Sequence, residues 1–262
     1  MTGRALIEIR SLRKVYPARA SEVVAIEDVS LGIHEGEFLA LLGPSGCGKT
    51  TILKMIAGLM PAAAGELLVD GAPVTGPRRD IGVVFQTPNL LPWRTVLSNI
   101  MIPMEVYRLN REESLDRAHQ LVKLTGLTGF ERSYPHELSG GMQQRVAICR
   151  ALISNPRILL MDEPFAALDA QNRAILQEEL LRIWEVYKKT VLYVTHSIDE
   201  ALLLGDRVVV MTARPGRVKA AFDVGFPRPR SMETKKSQGF GALEVTIWEM
   251  LKDEVRRDQH GG

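Results

Sequence analysis

Short apolar runs alternate with longer amphipathic segments along much of this chain. The runs Ile81–Phe85, Ile158–Met161 and Val191–Val194 are each too short for a helix, and their continuous apolar character is typical of strands covered on both faces. Helix-like spacing of apolar residues occurs at Gln171–Tyr187 and at Ile198–Leu204. Strands that alternate with helices predict a parallel sheet with helices on both sides, so the expected fold class is α/β.

The front of the chain has a different pattern, rich in strands and poor in helices. Ala5–Ile9 and Val23–Ile26 are predicted strands, and Glu66–Gly71 predicts a strand that runs into an Asp-Gly turn. We expect these segments to form an N-terminal antiparallel β portion beside the parallel core sheet.

A helical stretch interrupts the alternation after the Ile81–Phe85 run. Helices are predicted at Val96–Val106, Arg111–Leu124 and Gly141–Ile153. We interpret approximately residues 87–156 as a helical subdomain inserted in the α/β core.

The C-terminal part, from about residue 214 to residue 262, is predicted to be a linker followed by a helix. A turn at Arg214–Arg217 leads to the extended segment Phe226–Arg230, and Ala242–Arg256 has the pattern of an amphipathic helix. No internal repeat occurs, so residues 1–262 are interpreted as one domain that includes these additions.

Composition narrows the class of protein. With 45% hydrophobic residues, 24% charged residues and a net charge of +2, the chain resembles an ordinary soluble protein and gives no reason to expect nucleic-acid binding. Its two cysteines, Cys47 and Cys149, are too few for a disulfide framework or a metal cluster, and Cys149 has the helical spacing of a buried structural thiol. No apolar run approaches the roughly 18 residues of a membrane span and no secretory signal is present, so we expect a protein of the reducing cytoplasm.

A glycine-rich segment with the pattern G-x-x-x-x-G-K-[ST] lies between the apolar run Phe38–Leu42 and the helix-like stretch Thr51–Ile56. Strand, loop and helix in that order are the context that this phosphate-binding motif requires. Lys49 would reach the β- and γ-phosphates, the Thr50 hydroxyl would bind Mg²⁺, and Thr51 would add a contact to the α-phosphate. The predicted nucleotide-binding residues here are Gly43, Pro44, Ser45, Gly46, Cys47, Gly48, Lys49, Thr50 and Thr51.

Two carboxylates end another predicted strand. Ile158–Met161 runs directly into Asp162 and Glu163, and a buried strand avoids such charges unless a cation or a proton needs them. With the phosphate-binding loop upstream, Asp162 is predicted to hold Mg²⁺ through its water shell, and Glu163 to polarise the attacking water as general base. The sequence therefore predicts an enzyme that hydrolyses ATP with Mg²⁺.

A second glycine-containing segment, Leu138–Arg145, reads Leu-Ser-Gly-Gly-Met-Gln-Gln-Arg. Ser139, Gly140 and Gly141 begin a predicted helix, where exposed N–H groups and the positive helix end suit an anion. The segment resembles the signature of ATP-binding cassette (ABC) ATPases, which other P-loop families lack. The resemblance extends over nearly the whole chain and implies the ABC form of the P-loop NTPase fold.

The resemblance implies roles for four further residues. Tyr16 matches the aromatic residue that stacks on adenine, and Gln86 matches the glutamine that contacts Mg²⁺ and water and senses a transmembrane partner. Asp169, in Ala167-Leu168-Asp169, matches the loop that crosses a dimer interface, and His196 matches the switch histidine that contacts the γ-phosphate. The implied catalytic residues are Lys49, Gln86, Glu163 and His196, and the implied metal ligands are Thr50, Gln86 and Asp162.

Family membership would also imply a second copy of the chain. One chain does not easily bring both predicted anion-binding segments to the same phosphate. Proteins of the family avoid this difficulty by forming head-to-tail dimers. Ser139, Gly140 and Gly141 of one copy would then close over the ATP bound to the other.

The function that the resemblance favours is that of the ATP-hydrolysing subunit of a membrane importer. Asn89–Val96 follows Gln86 at the place where the family docks its transmembrane permease, although Trp93 and the neighbouring leucines have an alternative role in packing the insertion against the core. Three short segments, Leu90–Trp93, Thr212–Arg217 and Phe226–Arg230, most resemble nitrate, sulfonate and taurine importer ATPases. The implied partners are permease subunits and, indirectly, a solute-binding protein, and the implied location is peripheral, on the cytoplasmic face of the inner membrane.

Two other classes of protein are weighed against the importer. A soluble ABC ATPase that acts on nucleic acid or on the ribosome would carry long coiled coils between its half-sites or two cassettes in one chain, and this sequence has neither. A P-loop kinase would leave the Leu138–Arg145 signature and His196 unexplained. The transported solute is not specified by any segment of the sequence.

Overall fold

The computed structural model describes residues 4–17 and 22–260. The strands are β1 (Ile7–Pro17), β2 (Glu22–Ile33), β3 (Phe38–Leu42), β4 (Ala64–Val69), β5 (Ala72–Pro73), β6 (Ile81–Val84), β7 (Ile158–Asp162), β8 (Thr190–Thr195), β9 (Arg207–Met211) and β10 (Val218–Asp223).

The helices are α1 (Lys49–Ile56), α2 (Val96–Ile100), α3 (Ile102–Val106), α4 (Arg111–Leu124), α5 (Gly140–Leu152), α6 (Ala170–Tyr187), α7 (Ile198–Leu204) and α8 (Gln238–His260). Short 3₁₀ turns occur at Pro135–Glu137 and Met232–Lys236. None of the helices in the described part of the chain combines the length and apolar character needed to cross a membrane.

The chain divides into two compact units. The first unit joins the segment before Arg79 to the segment from Thr190 onward, and the second unit is Arg79–Lys189.

The first unit contains an antiparallel sheet with the strand order β2-β1-β4-β5. The predicted Asp-Gly turn joins β4 to β5, and both turn residues have positive φ, 54° at Asp70 and 72° at Gly71. A two-residue hairpin turn of this kind favours Asn or Asp followed by Gly because both positions need positive φ. The antiparallel N-terminal portion predicted from the sequence is confirmed.

The same unit also contains strands in the order β10-β9-β3-β8, in which β3 pairs in parallel with both β8 and β9. All five residues of β3 are buried, as expected for a strand covered on both faces. Leu42 lies opposite Thr195 in the parallel register. The residues that follow, Gly43 and His196, therefore emerge at the same edge of the sheet, where α/β folds bind ligands.

Helices α7 and α8 cover one face of these strands. A buried cluster joins Ala40 and Leu42 on β3, Val208 and Val210 on β9, and the helical residues Ala201, Leu202, Phe240, Ile247 and Leu251. Burying this apolar surface stabilises the edge that carries Gly43 and His196.

The second unit has a short parallel pair, β6 and β7, with the helices α2, α3, α4 and α5 between them in the sequence. The single helix predicted over Val96–Val106 is two helices in the structure. α2 ends at Ile100, Met101 lies between the two helices, and Pro103 lies in the first turn of α3. Proline has no N–H to donate and fits only the first turn of a helix. The second unit begins before residue 87 and ends after residue 156, so its limits do not test the predicted helical subdomain over 87–156, which stays a prediction.

The short strand β5, the strands β9 and β10 and the packing of Arg230 were not predicted from the sequence. Strands β9 and β10 pair antiparallel and were not among the predicted strands. Phe226–Arg230, predicted as an extended linker, has no helix or strand, but its last residue is buried, with only 1% of the Arg230 side chain exposed.

Arg230 fastens the linker to the end of α7. Its guanidinium donates hydrogen bonds to the carbonyl oxygens of Gly205 (2.6 Å), Val224 (3.0 Å) and Phe226 (3.1 Å). Burial lowers the pKa of Arg230 to about 10, which still leaves the side chain charged at neutral pH. Carbonyl groups at a helix C-terminus have no intrahelical donor, so this cation satisfies acceptors that would otherwise be buried without a partner.

Replacing Arg230 with Met should lower the free energy of unfolding by about 2–3 kcal/mol, because several buried carbonyl groups lose their donor. Urea unfolding followed by circular dichroism measures the change. Arg217→Met is the matched control, because Arg217 makes an exposed ion pair with Glu27 and should contribute less than about 1 kcal/mol. Equal losses for the two variants would contradict the structural role assigned to Arg230.

Candidate nucleotide site

The glycine-rich loop leaves β3 at Gly43 and enters α1 at Lys49. The Lys49 ammonium is buried and donates to the carbonyl oxygens of Gly43 (2.7 Å) and Pro44 (2.8 Å). A buried ammonium needs such acceptors, since burial without them carries a high desolvation cost. The cation is thereby held against the inside of the loop that is predicted to bind phosphate.

Two glycines of the loop have backbone conformations that other residues rarely adopt. Gly46 has φ of +77° and Gly48 has φ of +97°. A Cβ atom on Gly48 would also lie only 2.7 Å from Cγ1 of Ile26, so space and conformation both require glycine there. A tight loop of this kind would direct backbone N–H groups at the start of α1 toward an anion bound there.

Tyr16, the predicted adenine-stacking residue, lies near the start of α1. Its hydroxyl is 3.2 Å from Oγ1 of Thr51 and 3.2 Å from Sδ of Met60. The structure therefore brings Tyr16 together with the residue that the sequence assigns to the α-phosphate.

His196, the predicted switch histidine, is exposed and directly follows β8. The residues around it are firmly held: the Thr195 hydroxyl donates to the buried carboxylate of Glu200 (2.7 Å), and the Ser197 N–H donates to the Thr195 hydroxyl (3.0 Å). This network ties the end of β8 to the first turns of α7. Because β8 is the parallel neighbour of β3, His196 lies at the edge of the sheet where the phosphate-binding loop begins.

In the second unit, Gln86 and the two carboxylates lie at the corresponding edge of the β6 and β7 pair. Val84 and Met161 are opposite one another in the parallel register, so Gln86 and Asp162 are near the carboxyl ends of neighbouring strands. Asp162 is buried and Gln86 is exposed. Glu163 has φ of +45°, which is unusual for a residue with a side chain and is typical of functional positions.

The signature segment caps the start of α5. The Ser139 side chain accepts a hydrogen bond from the Met142 N–H, and both Ser139 and Gly140 are exposed. The first N–H groups of a helix have no intrahelical acceptor, so this exposed end can accept an anion.

The predicted interface loop adjoins the signature. A Cβ atom on Gly140 would lie 3.7 Å from Cδ2 of Leu168, the residue before Asp169. Asp169 is exposed and caps α6, and the hydrogen bond from the Asn172 N–H is the largest cause of the lowered pKa of its carboxyl group. The two segments predicted to meet a second copy therefore lie side by side within one unit.

Asn99 was not singled out from the sequence, yet it shapes the predicted docking segment. Its side chain is fully buried and donates to the carbonyl oxygens of Arg94 (2.9 Å) and Thr95 (3.0 Å), while its Oδ1 accepts from the Leu91 N–H (2.8 Å). The segment so held presents Trp93, which is 71% exposed. A lone asparagine at a helical position has no sequence signal that distinguishes it from a surface residue.

The predicted metal ligands are suited to Mg²⁺. Thr50, in the first unit, offers a hydroxyl, and Gln86 and Asp162, in the second, offer an amide and a carboxylate oxygen. Mg²⁺ prefers oxygen ligands and is commonly held by one or two carboxylates together with substrate phosphates. Among the described residues no cluster of three or more His, Cys, Asp or Glu side chains could hold a metal ion on its own.

Both cysteines are buried, as predicted for Cys149. Burial raises the pKa of Cys149 to about 12, and the Thr125 hydroxyl lies 3.3 Å from its sulfur. Burial also raises the pKa of Cys47. A thiol that stays protonated is a structural group and not a nucleophile.

Comparison with known proteins gives one consistent family. The ABC transporter family model matches residues 26–166. An uncharacterized ABC transporter ATP-binding protein of Methanocaldococcus jannaschii is 51% identical over 95% of this chain and 92% of its own length. A taurine import ATP-binding protein of Rhizobium johnstonii is 46% identical, covering 94% and 93%, and an aliphatic sulfonates import ATP-binding protein of Bacillus cereus is 42% identical, covering 94% and 96%.

Comparison with solved structures indicates the same family. A solved dimeric structure of a bacterial ABC transporter cassette superposes with a TM-score of 0.74 at 36% identity, covering 84% of this chain and 100% of that one. The predicted α/β fold of a P-loop ATPase is confirmed. The chain therefore belongs to the ABC transporter family, as an ATP-binding ATPase subunit.

Proposed function

We propose that the chain is the ATP-hydrolysing subunit of an importer for a small anion, and that two copies sandwich ATP between them. The observation that carries the proposal is the presence of two anion-binding arrangements in one chain. One is the loop around the buried Lys49, and the other is the exposed start of α5 at Ser139. A nucleotide bound by the first on one copy and by the second on another would use both.

The proposed roles in hydrolysis follow from the chemistry of each side chain. Lys49 and the loop N–H groups neutralise the phosphates, and Tyr16 stacks on adenine. Thr50, Gln86 and Asp162 would hold Mg²⁺, which supplies charge neutralisation at the phosphates when it is bound. Glu163 accepts the proton of the attacking water, and His196 contacts the γ-phosphate and stabilises the charge that develops there.

The second copy completes the site in this proposal. Ser139, Gly140 and Gly141 of one copy present their helix N-terminus to the γ-phosphate on the other. The closeness of Gly140 to Leu168 supports this arrangement, because the Asp169 loop and the signature can then face the neighbouring copy as one surface. Dimer closure upon ATP binding and reopening after hydrolysis would then drive the transport cycle.

The membrane partner is proposed to dock on the second unit. Asn99 holds a segment that exposes Trp93, and a large exposed aromatic side chain on a rigid backbone is a typical anchor of a protein interface. We propose that helices 87–156 form the docking subdomain for permease subunits on the cytoplasmic face of the inner membrane. The taurine and sulfonate importer relatives support a small sulfonate-like anion as the solute. A nitrate-like anion and delivery by a separate binding protein belong to the same proposal.

Replacing Glu163 with Gln should reduce ATP hydrolysis about 100-fold or more while ATP binding persists, since only the proton acceptor is lost. Steady-state phosphate release measures hydrolysis, and size-exclusion chromatography with ATP should show an accumulated dimer. Glu249→Gln, an exposed position on α8, is the control and should behave as the parent chain. Near-normal hydrolysis by the Glu163 variant would refute its role as general base.

Replacing Ser139 with Tyr should abolish turnover without weakening ATP binding to the monomer, because the bulky side chain blocks the end of α5 that faces the other copy. The decisive measurement mixes this variant with Glu163→Gln, each inactive alone. In a head-to-tail dimer the mixed pair has one site with both native residues, so roughly a quarter of all sites should regain function. If both residues served the same protomer's site, every site in the mixture would stay defective and no activity would return.

Replacing Trp93 with Ser should leave the ATPase activity of the purified subunit unchanged and weaken its assembly with the permease, because the docking anchor is lost. Co-purification of the permease from membranes that contain the whole complex measures assembly. Trp248→Ser is the matched control, since Trp248 is also largely exposed but lies on α8. Equal co-purification of both variants would overturn the docking proposal.

A further inference from the structure

The loop between β9 and β10 brings an arginine to the edge of the phosphate-binding loop. A Cβ atom placed on Gly46 would lie 3.1 Å from Nη2 of Arg214. Both Gly46 and Arg214 are exposed. The guanidinium thus lies beside the tip of the loop and in contact with solvent.

The Arg214 loop, Thr212–Arg217, is fixed in place by backbone contacts. The Gly216 N–H donates to the carbonyl oxygen of Ala25 (2.9 Å), and the Glu27 N–H donates to the Gly216 carbonyl oxygen (3.0 Å). A Cβ atom on Gly216 would lie 1.9 Å from the carbonyl oxygen of Cys47, so only glycine allows this close approach to the phosphate-binding loop.

The C-terminal helix holds the same loop from the other side. The Ala213 N–H donates to Oε2 of Glu254 (2.9 Å), and Glu254 is buried and paired with Lys219 (2.6 Å). Arg214 follows Ala213 directly, so its backbone has little freedom to move away from Gly46. A side chain whose backbone is held in this way loses less entropy when it contacts a ligand.

Within the described side chains, Arg214 differs from the neighbouring cations in its interactions. Arg217, in the same loop, pairs with Glu27, and the Lys49 ammonium is taken up by loop carbonyl groups. Among the described side chains, those of 4–17 and 22–254, no carboxylate forms an ion pair with Arg214. The loop therefore supplies a solvent-exposed positive charge beside the tip of the phosphate-binding loop.

We infer that Arg214 is an additional nucleotide-binding residue that attracts the polyphosphate of ATP to the loop at Gly46. The inference rests on the proposed binding of nucleotide at this loop. A unit charge about 5 Å from a phosphate changes affinity only a few-fold in water, and more where solvent is partly excluded. ATP carries more negative charge than ADP, so Arg214 favours ATP over ADP.

Isothermal titration calorimetry with ADP and with a non-hydrolysable ATP analogue tests the inference on the purified full-length chain. Arg214→Gln should bind the ATP analogue roughly 3- to 10-fold more weakly than the parent chain at low salt, and ADP should be affected less. The difference should shrink at high salt because exposed charges are screened. Arg214→Lys should retain most of the parent affinity, and Arg217→Gln should bind as the parent does.

An unchanged affinity of Arg214→Gln for the ATP analogue at low salt would overturn the inference, whatever its effect on dimer formation. Equal weakening by Arg217→Gln would overturn it too, since the effect would then come from general surface charge. Failure of the parent chain to bind either nucleotide would instead refute the proposed function. The melting temperature of each variant, expected to equal that of the parent, separates a binding defect from a folding defect.

Discussion

Concentrating positive charge and N–H donors around a polyphosphate is the constraint on which the rest of this structure depends. In the proposed site the buried ammonium of Lys49 would lie close to the phosphates, and its burial is tolerable because it donates hydrogen bonds to the Gly43 and Pro44 carbonyl oxygens. That geometry requires glycines with positive φ, an immobile strand before the loop and a helix after it. β3, buried on both faces and paired with β8 and β9, supplies the immobile strand.

The chemistry proposed for hydrolysis is distributed over two compact units. The phosphate loop, Tyr16 and His196 belong to the first, and the carboxylates of Asp162 and Glu163 and the Ser139 helix terminus belong to the second. Tyr16 lies near the end of the antiparallel strand β1, and the other groups lie where parallel strands end or where a helix begins. At such places a backbone offers unpaired N–H groups and side chains leave a packed core.

The C-terminal region supports the phosphate-binding edge from outside the motifs. Arg230 closes the end of α7, the helix that begins just after His196, and Glu254 of α8 holds the loop that carries Arg214. Both interactions join a buried charge to backbone groups, which fixes the direction of a chain segment more strongly than apolar packing alone. Such contacts explain how residues far along the sequence bear on the nucleotide site.

The local pattern of apolar and polar residues was sufficient to predict most of the helices and strands and the chemical types of the candidate site residues. The limits of α4 and α7 match the predicted ones, and the five apolar residues Phe38–Leu42 form β3. The family follows from the glycine-rich loop and the Leu138–Arg145 signature because those glycines and cations are required by backbone geometry and by phosphate charge, which are local properties. Contacts between residues that are far apart in the sequence are not determined by local pattern. The contact of Arg230 with Gly205 and the approach of Arg214 to Gly46 join residues 25 and 168 positions apart, and each depends on which surfaces meet once the chain is folded, so no neighbouring residue in the sequence signals them.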